Sequence, residues 1–374
     1  MNVVILTTSY PHDGDPVAGC FVRAMARWLV GDGHAVTVLC AGRPGAAPVV
    51  DPGVTVIAAR GFTRGVFGAE GAPERLGLGA TLNARELLRA IDSVLALGWG
   101  AMRLRGRAER VISHFVLPAG LVAGLVFGPA RHLGVIHGTD GWLLAQAPRP
   151  VRAAVLACAS RWWCTHRALW EALSGAATGC LVGSMPLEPL RALRRPPRPF
   201  SVVWVGRMVP IKRPAWAIAV GEALASRWPL RLEMLGDGPL SEHLAAAPWW
   251  VARGAVDASA RDAALCEAEI FLHTAGARGG WRREGAPMAV LEAMQAGCVV
   301  VAVDSGGVAE LVGDAGVVLG ADAGPAELAE AVAALWRDPG RRATLSARAC
   351  ARAKARSWEA LGPVLREVLH EMGG

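Results

Sequence analysis

Short apolar runs alternate with helical segments along this chain, and this alternation restricts its fold more than any other feature does. The first cycle has an apolar run at residues 3–7, a helical pattern at 21–30, a glycine-bounded stop at 31–33 and a second apolar run at 35–40. A strand, a helix and a strand in this order form a βαβ unit, whose strands are parallel. The pattern therefore predicts a parallel sheet covered by helices.

A segment rich in proline and arginine, residues 191–199, separates two such series. Its prolines cannot donate hydrogen bonds to a sheet, so this segment is predicted to be a linker. The whole chain of 374 residues is longer than one hydrophobic core usually serves, which favours two domains. Before the linker, further strands are predicted at 54–58, 111–115, 133–136 and 179–182; after it, strands are predicted at 200–205, 230–235, 269–273 and 298–303, and helices at 213–227, 240–246, 290–295 and, with a break near 338–340, at 325–372.

The predicted fold class is therefore α/β, with two Rossmann-like domains. Residues 1–185 form the N-terminal domain, 186–199 the linker, 200–355 the C-terminal domain and 356–374 a final helix. Ligands of open parallel sheets bind at the carboxyl ends of the strands, so functional residues are expected in the loops that follow the strands.

The chain is basic, with a net charge of +7 and a pI of about 9.3, and nearly all of its positive charge is arginine. Its only lysines are Lys212 and Lys354. This balance favours anionic partners such as phosphates, nucleic acid or acidic lipid heads, although an arginine-rich codon usage explains the excess equally well. Eight arginines lie within residues 61–110, where a helix is predicted at 82–97. A solvated charged face is favoured there, and contact with a lipid-linked or anionic ligand is left open.

The cysteine pattern and the N-terminus indicate a reducing compartment. None of the eight cysteines forms a C-x-x-C pair, so buried free thiols are expected rather than a zinc site. Residues 1–9 lack the basic region of a signal peptide. Residues 112–130 approach the length of a membrane span, but Pro118 and Pro129 interrupt them, which favours a strand, a turn and a buried helix. A cytoplasmic protein is expected, and peripheral contact with the inner face of the plasma membrane is left open.

Several common ligand-binding motifs are missing from the sequence. No complete G-x-G-x-x-G occurs, because Gly236-Asp-Gly238 lacks the third glycine, so a dinucleotide site is not expected. No P-loop and no H-E-x-x-H occur either. Asp13-Gly-Asp15 is a D-x-D pair of the kind that can hold a cation on a diphosphate. It lies in a loop rich in proline and glycine, which favours a turn instead.

The first candidate site follows the strand predicted at 200–205. Arg207 and Lys212 lie five residues apart on a strand-to-helix turn, so both can point at one anion. Arginine forks onto phosphate oxygens, lysine acts as a point charge, and the start of the next helix adds its positive end. The alternative is an ordinary solvated loop.

The second candidate segment runs from Glu284 to Glu292. Pro287 suits the first turn of a helix, which leaves the backbone N–H groups of Met288 and Ala289 open to a phosphate or to sugar hydroxyls. Carboxylates accept hydrogen bonds from vicinal hydroxyls, so two at this spacing can hold two sugars. The alternative for Glu284 is an acid that stabilises a helix N-terminus.

A third candidate segment, His137-Gly-Thr-Asp140, follows the strand predicted at 133–136 in the first half. It is expected to reach the same ligand from the N-terminal domain. The alternative for His137 is a buried histidine with satisfied hydrogen bonds.

At these residues the sequence resembles the retaining GT-B glycosyltransferases of family 4, with bacterial exopolysaccharide-type members the most similar. The resemblance covers nearly the whole chain. Residues 7–11, 15–19 and 33–38 are similar to the family's first βαβ unit. The most specific signal is the Glu-x7-Glu spacing; around it, in the family's order, stand Gly206-Arg207 with Lys212, Gly236-Asp-Gly238, Glu284 with Glu292, and Gly306-Gly-Val-Ala-Glu310.

The resemblance implies a GT-B fold, in which two domains face each other across a cleft. The N-terminal domain would bind the acceptor, the C-terminal domain would bind the donor, and residues 356–374 would cross back to the first domain. The implied reaction moves a hexose from a nucleotide-diphosphate sugar to a glycan, lipid-linked or small-molecule acceptor, with retention of anomeric configuration. No metal is expected, because arginine and lysine supply the charge that a cation supplies elsewhere. No cofactor and no nucleic acid partner are expected either.

The family's roles carry over to the matching residues of this sequence. Arg207 and Lys212 would bind the donor diphosphate and stabilise the leaving group, and Glu284 would bind the donor sugar on its reacting side. These three are the predicted catalytic residues. Glu292 would bind the ribose. The other predicted donor contacts are Gly19, His137, Gly206, Gly285, Met288 and Ala289.

Two departures from the family pattern bear on donor preference. Val182-Gly-Ser-Met185 stands where the family often has Asn-Gly-Val-Asp, and Pro287 replaces a frequent glycine. Two other functions remain as alternatives. A nucleotide-sugar epimerase on the same fold would need an acid–base pair of carboxylates, and none is evident. A non-catalytic nucleotide-sugar-binding paralogue is disfavoured by the complete set of Arg207, Lys212 and both glutamates.

Overall fold

The chain divides into two compact units. The first comprises Met1–Gly183 with Gly362–Gly374, and the second comprises Ser184–Leu361. The computed structural model describes residues 1–42, 46–59, 61, 84–175, 180–192, 196–244, 247–276 and 285–372.

The first unit is built on a seven-stranded sheet in which every described pairing is parallel. The strand order is β3-β2-β1-β4-β5-β6-β7. The strands are β1 (Asn2–Thr7), β2 (Ala35–Ala41), β3 (Val54–Ala59), β4 (Arg110–His114), β5 (His132–Ile136), β6 (Arg161–Cys164) and β7 (Leu181–Val182).

Helices connect most of these strands, in keeping with their parallel pairing. The first of them buries Val22, Met25 and Leu29, which recur at helical spacing and so form one apolar face. The described helices of this unit are α1 (Cys20–Gly31), α2 (Ala84–Leu104), α3 (Leu121–Phe127), α4 (Thr139–Ala145), α5 (Arg149–Leu156) and α6 (Arg167–Ser174).

The second unit has a six-stranded sheet, also parallel, in the order β10-β9-β8-β11-β12-β13. Its strands are β8 (Ser201–Val205), β9 (Arg231–Leu235), β10 (Trp250–Ala252), β11 (Ile270–His273), β12 (Val299–Val303) and β13 (Gly316–Leu319). The helices that follow the first unit's are α7 (Pro214–Ala225), α8 (Ala258–Glu267), α9 (Met288–Ala296), α10 (Val308–Val312), α11 (Pro325–Arg337), α12 (Pro339–Lys354) and α13 (Trp358–Glu371).

Both faces of the second sheet are covered by helices, which explains why its central strands are mostly apolar. Successive side chains of a strand point to opposite faces. Val202 and Trp204 enter the cluster formed with α7 and α11, whereas Val203 enters the cluster formed with α8, α9 and α12. The same alternation recurs in β11, where Leu272 belongs to the first cluster and Phe271 to the second.

In each sheet, consecutive strands of the chain are added in one direction up to a certain strand, and the following strands are added in the opposite direction. We call the position between these two series the reversal, and a ligand crevice is expected there. In the first sheet the reversal lies between β1 and β4, and in the second it lies between β8 and β11. Ligands of open α/β sheets bind at such a reversal, outside the carboxyl ends of the strands. In the first unit the loops after β1 and β4 therefore frame the crevice, and in the second unit the loops after β8 and β11 do so.

The predicted α/β class with two Rossmann-like domains is confirmed, and the predicted strands differ from the observed ones by at most two residues at each end. The helix predicted at 240–246 is wrong, because residues 241–243 form only a short 3-10 turn and residues 245–246 lie outside the described chain. The hydroxyl of Ser241 bonds to Asp237 Oδ1 and to the Gly238 carbonyl, and these local bonds compete with a helix. Three short strands were not predicted: β6, β10 and β13.

Other local expectations hold where the structure describes them. Residues 112–130 contain part of β4 and all of α3, and none of the described helices is long and apolar enough to cross a membrane. Asp15 Oδ1 accepts hydrogen bonds from the backbone of Val17 and Ala18, so the D-x-D segment is a turn. All eight cysteines have free thiols as expected, but only half of them are buried, namely Cys40, Cys164, Cys266 and Cys298.

The boundary between the two units lies within the last helix. Helix α13 starts at Trp358 in the second unit, and its residues from Gly362 onward belong to the first unit. Asp32, at the end of α1, receives a bidentate ion pair from Arg366. Gly362 lies against the ring of Trp28, where an added Cβ would come within 2.4 Å of the indole. The segment before β8 also has fixed contacts: Arg191 donates its backbone N–H to the buried carboxylate of Asp262.

A buried histidine makes the first unit sensitive to acid. His132 Nδ1 lies 2.6 Å from the Cys158 carbonyl and Nε2 lies 2.7 Å from the Ser113 hydroxyl. The carbonyl only accepts, so Nδ1 carries the proton and Nε2 accepts from the serine. Burial lowers the pKa of His132 to about 4, while the bond to Cys158 opposes this shift.

Replacing His132 with glutamine is expected to flatten the pH dependence of stability. The folded pKa lies below the usual value of about 6.5, so the unfolded chain binds the extra proton, and stability is lost as pH falls from about 6.5 to about 4. The free energy of unfolding should be measured by urea unfolding across this pH interval. In His132→Gln it should change less steeply with pH, because up to about one fewer proton is bound on unfolding. Equal slopes in the two proteins would contradict this assignment.

Candidate functional site

The loop after β8, at the reversal of the second sheet, is held by backbone contacts with the loop after β9. Gly206 N–H donates to the Leu235 carbonyl over 3.0 Å, and Met208 N–H donates to the Asp237 carbonyl over 2.8 Å. Gly236 has φ of 129°, and a Cβ added there would lie 1.9 Å from the Gly206 carbonyl oxygen. The Gly236-Asp-Gly238 segment therefore acts as a close-fitting backbone support for the residues next to Arg207.

A Gly236→Ala substitution is expected to disrupt this support. The added methyl group has no room beside Gly206, and alanine at this φ is strained, so we expect the free energy of unfolding to fall by about 2–4 kcal/mol. Because the Arg207 loop must then shift, nucleoside diphosphate binding should weaken by about tenfold or more. Urea unfolding and titration calorimetry measure both effects.

Gly320→Ala is the matched control for Gly236→Ala, because nothing lies within 4 Å of a Cβ at Gly320 and its φ is unexceptional. This variant should match the unmodified protein in both measurements. Equal effects at Gly236 and Gly320 would show that the close contact with Gly206 does not support the loop.

A second anchor fixes the turn that carries Lys212. The Thr274 hydroxyl, at the end of β11, donates to the Lys212 carbonyl over 2.7 Å and accepts from Trp204 Nε1 over 2.9 Å. Thr274 and Trp204 are buried. Gly276 N–H also donates to the carbonyl of Ile211 over 2.9 Å. The loops on the two sides of the reversal therefore hold each other in place.

This arrangement brings Lys212 against Gly206, and Arg207 is the next residue in the same loop. A Cβ added at Gly206 would lie 3.6 Å from Lys212 Cδ, so the aliphatic stem of the lysine turns back over the end of β8. Arg207 is exposed and Lys212 is partly exposed. The next residue, Arg213, stacks on the Trp216 ring at 4.3 Å. Two cations at the carboxyl end of a central strand, ahead of the start of α7, make a site suited to a phosphate or diphosphate.

The segment before α9 forms the next part of this edge of the sheet. Helix α9 starts at Met288 after Pro287, and the Pro287 side chain does not cap its first N–H groups. Gly285 is fixed by the Gly307 N–H, which donates to its carbonyl over 3.0 Å. Ala289 is the second residue of the helix. Glu284, predicted to be catalytic, lies outside the described residues, which resume at Gly285.

Glu292 stands in the second turn of α9 and is paired with an arginine of α8. Arg261 Nη1 lies 2.9 Å from Glu292 Oε1, and Arg261 also bonds to the buried Asp262. Burial raises the pKa of Glu292, and the Arg261 guanidinium acts against that rise. The carboxylate is largely enclosed, with 14% of its side chain exposed, so a ligand that binds it must replace or share the Arg261 contact.

Gly19 lies in the first unit, immediately before α1 and at the end of the long loop after β1. Its φ of 62° is left-handed, and an added Cβ would lie 2.2 Å from the Ser9 carbonyl oxygen. Only glycine fits this close approach of two backbone segments. The position places the first turn of α1 beside the reversal in the first sheet.

His137 follows β5 and lies in an aromatic cluster with α1. Its ring is 4.5 Å from that of Phe21 and 4.8 Å from that of Phe115, and its Nε2 lies 3.0 Å from Nδ1 of the buried His114. Burial lowers the pKa of both histidines. The pair therefore shares one hydrogen bond between neutral rings at neutral pH, and His137 is half-buried rather than fully enclosed.

The turn after His137 is organised by a carboxylate. Asp140 accepts hydrogen bonds from the backbone N–H groups of His137 and Gly138 with one oxygen and from that of Val116 with the other. This links the loop after β5 to the loop after β4, which borders the reversal. The first unit therefore brings the start of α1 and His137 together around one crevice.

Residues 199–338 match the sequence model of the family described as Glycosyl transferases group 1. This range contains the Arg207–Lys212 loop, the Gly236 support and the start of α9. The chain carries a group 1 glycosyltransferase domain. No curated protein has a matching sequence.

The glycosyltransferase also shares its fold with solved structures across almost its full length. Sucrose-phosphate synthase from Thermosynechococcus elongatus is 17% identical with a TM-score of 0.70, and the alignment covers 99% of this chain and 100% of that protein. HepE from Anabaena, solved in complex with UDP, is 15% identical with a TM-score of 0.67 at the same coverage. HepE has also been solved with UDP-glucose, and that structure has a TM-score of 0.65 at 16% identity. These likenesses show the GT-B fold.

The sequence predicts Arg207, Lys212 and the start of α9, but it predicts neither Thr274 nor Arg261. It marks Asp140 only as part of the segment that follows β5. Thr274 directly follows an apolar run, which is a weak signal that could have marked it. Asp140 stands three residues after His137, a spacing typical of a side chain that caps a turn. Arg261 gave no signal, because an arginine on a short helix is usually solvated.

Proposed function

We propose that this glycosyltransferase moves a hexose from a nucleoside diphosphate sugar to a hydroxyl group of an acceptor, with retention of anomeric configuration. The bond between C1 of the donor sugar and the diphosphate oxygen breaks, and a bond from the acceptor oxygen to C1 forms on the same face. The acceptor proton leaves with the nucleoside diphosphate. The acceptor is a glycan, a lipid-linked sugar or a small molecule.

One observation carries this proposal: Arg207 and Lys212 share a loop at the carboxyl end of β8, held by Gly236 and Thr274. Negative charge grows on the diphosphate as the sugar leaves. Cations that are fixed before the reaction stabilise this charge without reorganisation, which is the largest contribution in many enzymes. Arg207 and Lys212 are therefore proposed as catalytic residues that contact the leaving group.

The start of α9 is proposed to bind the rest of the donor. The N–H groups of Met288 and Ala289 would bind phosphate oxygens or sugar hydroxyls, and Gly285 would let the ligand approach the backbone closely. Glu292 would accept hydrogen bonds from the ribose hydroxyls beside Arg261. Glu284 would bind the hexose on its reacting side.

The first unit is proposed to bind the acceptor and the reacting end of the donor. Its half-buried His137 presents a neutral ring at neutral pH, which can donate or accept one hydrogen bond to a sugar hydroxyl without carrying a charge. Gly19 lets the backbone ahead of α1 approach a phosphate or the acceptor. UDP-glucose is the first donor to test, since HepE has been solved with it.

The proposal is tested by incubating the full chain with UDP-, GDP- and ADP-hexoses and a panel of free hexoses, alkyl glycosides and polyprenyl-linked sugars. Transfer releases nucleoside diphosphate only when an acceptor is present, and NMR of the product then shows the donor's anomeric configuration. The rate should be unchanged by a chelator, because arginine and lysine supply the positive charge. An epimerised donor without transfer, or binding without turnover across the panel, would refute the proposal.

A further inference from the structure

Helix α2 carries an apolar face toward solvent in addition to the one that it buries. Leu97, Ala101 and Leu104 pack into the core of the first unit with Leu39 of β2. A surface helix normally has a polar side opposite such a face.

The opposite side of α2 is instead lined by large apolar residues, which we call the outer stripe. Their side chains are 46–69% exposed, and their spacing of three or four residues places them on one side of the helix. At a rise of 1.5 Å per residue the stripe is about 21 Å long. The outer stripe consists of Leu88, Ile91, Leu95, Trp99 and Met102.

The outer stripe forms a continuous patch rather than scattered exposed residues. Single exposed apolar residues are normal on protein surfaces, but an extended patch marks a site of interaction. Helix α3, which packs against α2, also carries an exposed apolar side chain, that of Leu125, which is 75% exposed. Leaving these side chains in water is unfavourable, so the arrangement calls for an apolar surface that covers them.

Positive charge accompanies the stripe. Successive residues of an α-helix are rotated by about 100°, so Arg85 and Arg103 both lie about 60° around the helix from Leu88. The chain just after the helix adds two more exposed arginines, Arg105 and Arg107. Arginine side chains can extend along an apolar surface and place their charge at its border.

We propose that the outer stripe docks this protein on a bilayer that contains anionic lipids, with α2 lying in the plane of the interface. A leucine-rich face with a tryptophan and a flank of arginines is the chemistry that binds such an interface. The apolar side chains enter the acyl boundary, and the guanidinium groups reach the lipid phosphates. A second copy of this chain is a poorer occupant, because a symmetric contact would bring the two arginine flanks together.

Vesicle flotation of the full chain tests the proposal and requires neither donor nor acceptor. Binding is expected to vesicles of phosphatidylcholine mixed with phosphatidylglycerol, and to be much weaker with phosphatidylcholine alone. The double variant Leu95→Glu/Trp99→Glu should lower the partition coefficient by about tenfold or more. The triple variant Arg103→Gln/Arg105→Gln/Arg107→Gln should lower it by about fivefold per arginine, and salt should weaken the binding of the unmodified protein.

Two variants on the second unit serve as matched controls. Val251→Glu places a charge at another exposed apolar residue, and Arg341→Gln removes another exposed arginine. Both should bind vesicles as the unmodified protein does. Thermal unfolding and size-exclusion chromatography are measured for every variant, and the stripe variants should be folded and unchanged in oligomeric state.

Three results would overturn the proposal. Absence of binding to anionic vesicles, or equal binding by the stripe variants, shows that the stripe does not dock on lipid. A lower unfolding temperature in Leu95→Glu/Trp99→Glu shows that the stripe is covered by this chain itself. A dimer that the same variant dissociates shows that the stripe is covered by a second copy.

Discussion

Replacing Lys212 with alanine is expected to lower kcat for sugar transfer by about 100- to 1,000-fold while the protein stays folded. The lysine stem lies over Gly206, and its carbonyl is held by Thr274, so the ammonium group belongs to a fixed loop rather than a mobile chain. Removing it takes positive charge from the place where the leaving diphosphate gains negative charge. Steady-state kinetics with the donor identified by the panel measures the effect.

The sequence supplies its own control for Lys212→Ala. The only other lysine, Lys354, is exposed in the last turn of α12, so Lys354→Ala should leave kcat and KM unchanged. Arg207→Ala should cause a loss similar to that of Lys212→Ala. If both cations act on one diphosphate, the double variant should lose less than the product of the two single effects.

Near-normal turnover in either single variant would reject the proposed phosphate site. A loss of turnover accompanied by unfolding would be a structural effect, and circular dichroism with urea unfolding distinguishes the two. The GT-B fold would stand in both cases, because its two parallel sheets do not depend on these two side chains.

The fold could be predicted from sequence because burial of both faces of a sheet requires a strongly apolar pattern in the sequence of its strands. Strands such as β12 are continuous apolar runs, and helices such as α1 have one apolar face, so their presence is readable without tertiary contacts. The missed strands are short: β6 has four residues and β10 has three. In segments this short, pairing with a neighbouring strand decides the structure more than propensity does.

The candidate site was predictable only in part, and the missing part depends on contacts between distant residues. Arg207 and Lys212 stand out because they follow a strand and because lysine is rare in this chain. The bond between Thr274 and the Lys212 carbonyl spans 62 residues, so no local pattern reports it. The same holds for Arg261 and Glu292, which are brought together by the packing of α8 and α9.

The outer stripe shows a different limit of sequence reasoning. The arginines within residues 61–110 were visible, and a solvated charged face was the favoured interpretation. Helical periodicity alone does not separate a helix with one apolar face from one with two opposed faces when the helix bounds are uncertain. The observed helix, Ala84–Leu104, extends seven residues past the predicted end, and these include Trp99 and Met102.

Glu292→Ala is expected to lower donor kcat/KM by about 10- to 100-fold. The loss should affect ligands that contain ribose and not those that lack it. A hydrogen bond to a charged group contributes about 1.5–3 kcal/mol, so affinity for UDP should fall by about 10- to 100-fold. Affinity for inorganic pyrophosphate should not change, because the diphosphate is bound by Arg207 and Lys212. Titration calorimetry with the two ligands measures this difference.

The ion pair with Arg261 makes this comparison necessary. If Glu292 served only to pair with Arg261, its removal would leave the arginine unpaired, lower stability and weaken both ligands alike. The matched control is Glu330→Ala, since Glu330 pairs with Arg227 and Arg337 on an exposed surface of the same unit, and its loss should affect neither ligand. Equal loss of UDP and pyrophosphate affinity in Glu292→Ala would reject ribose binding, whereas selective loss of UDP affinity would place the ribose between the starts of α8 and α9.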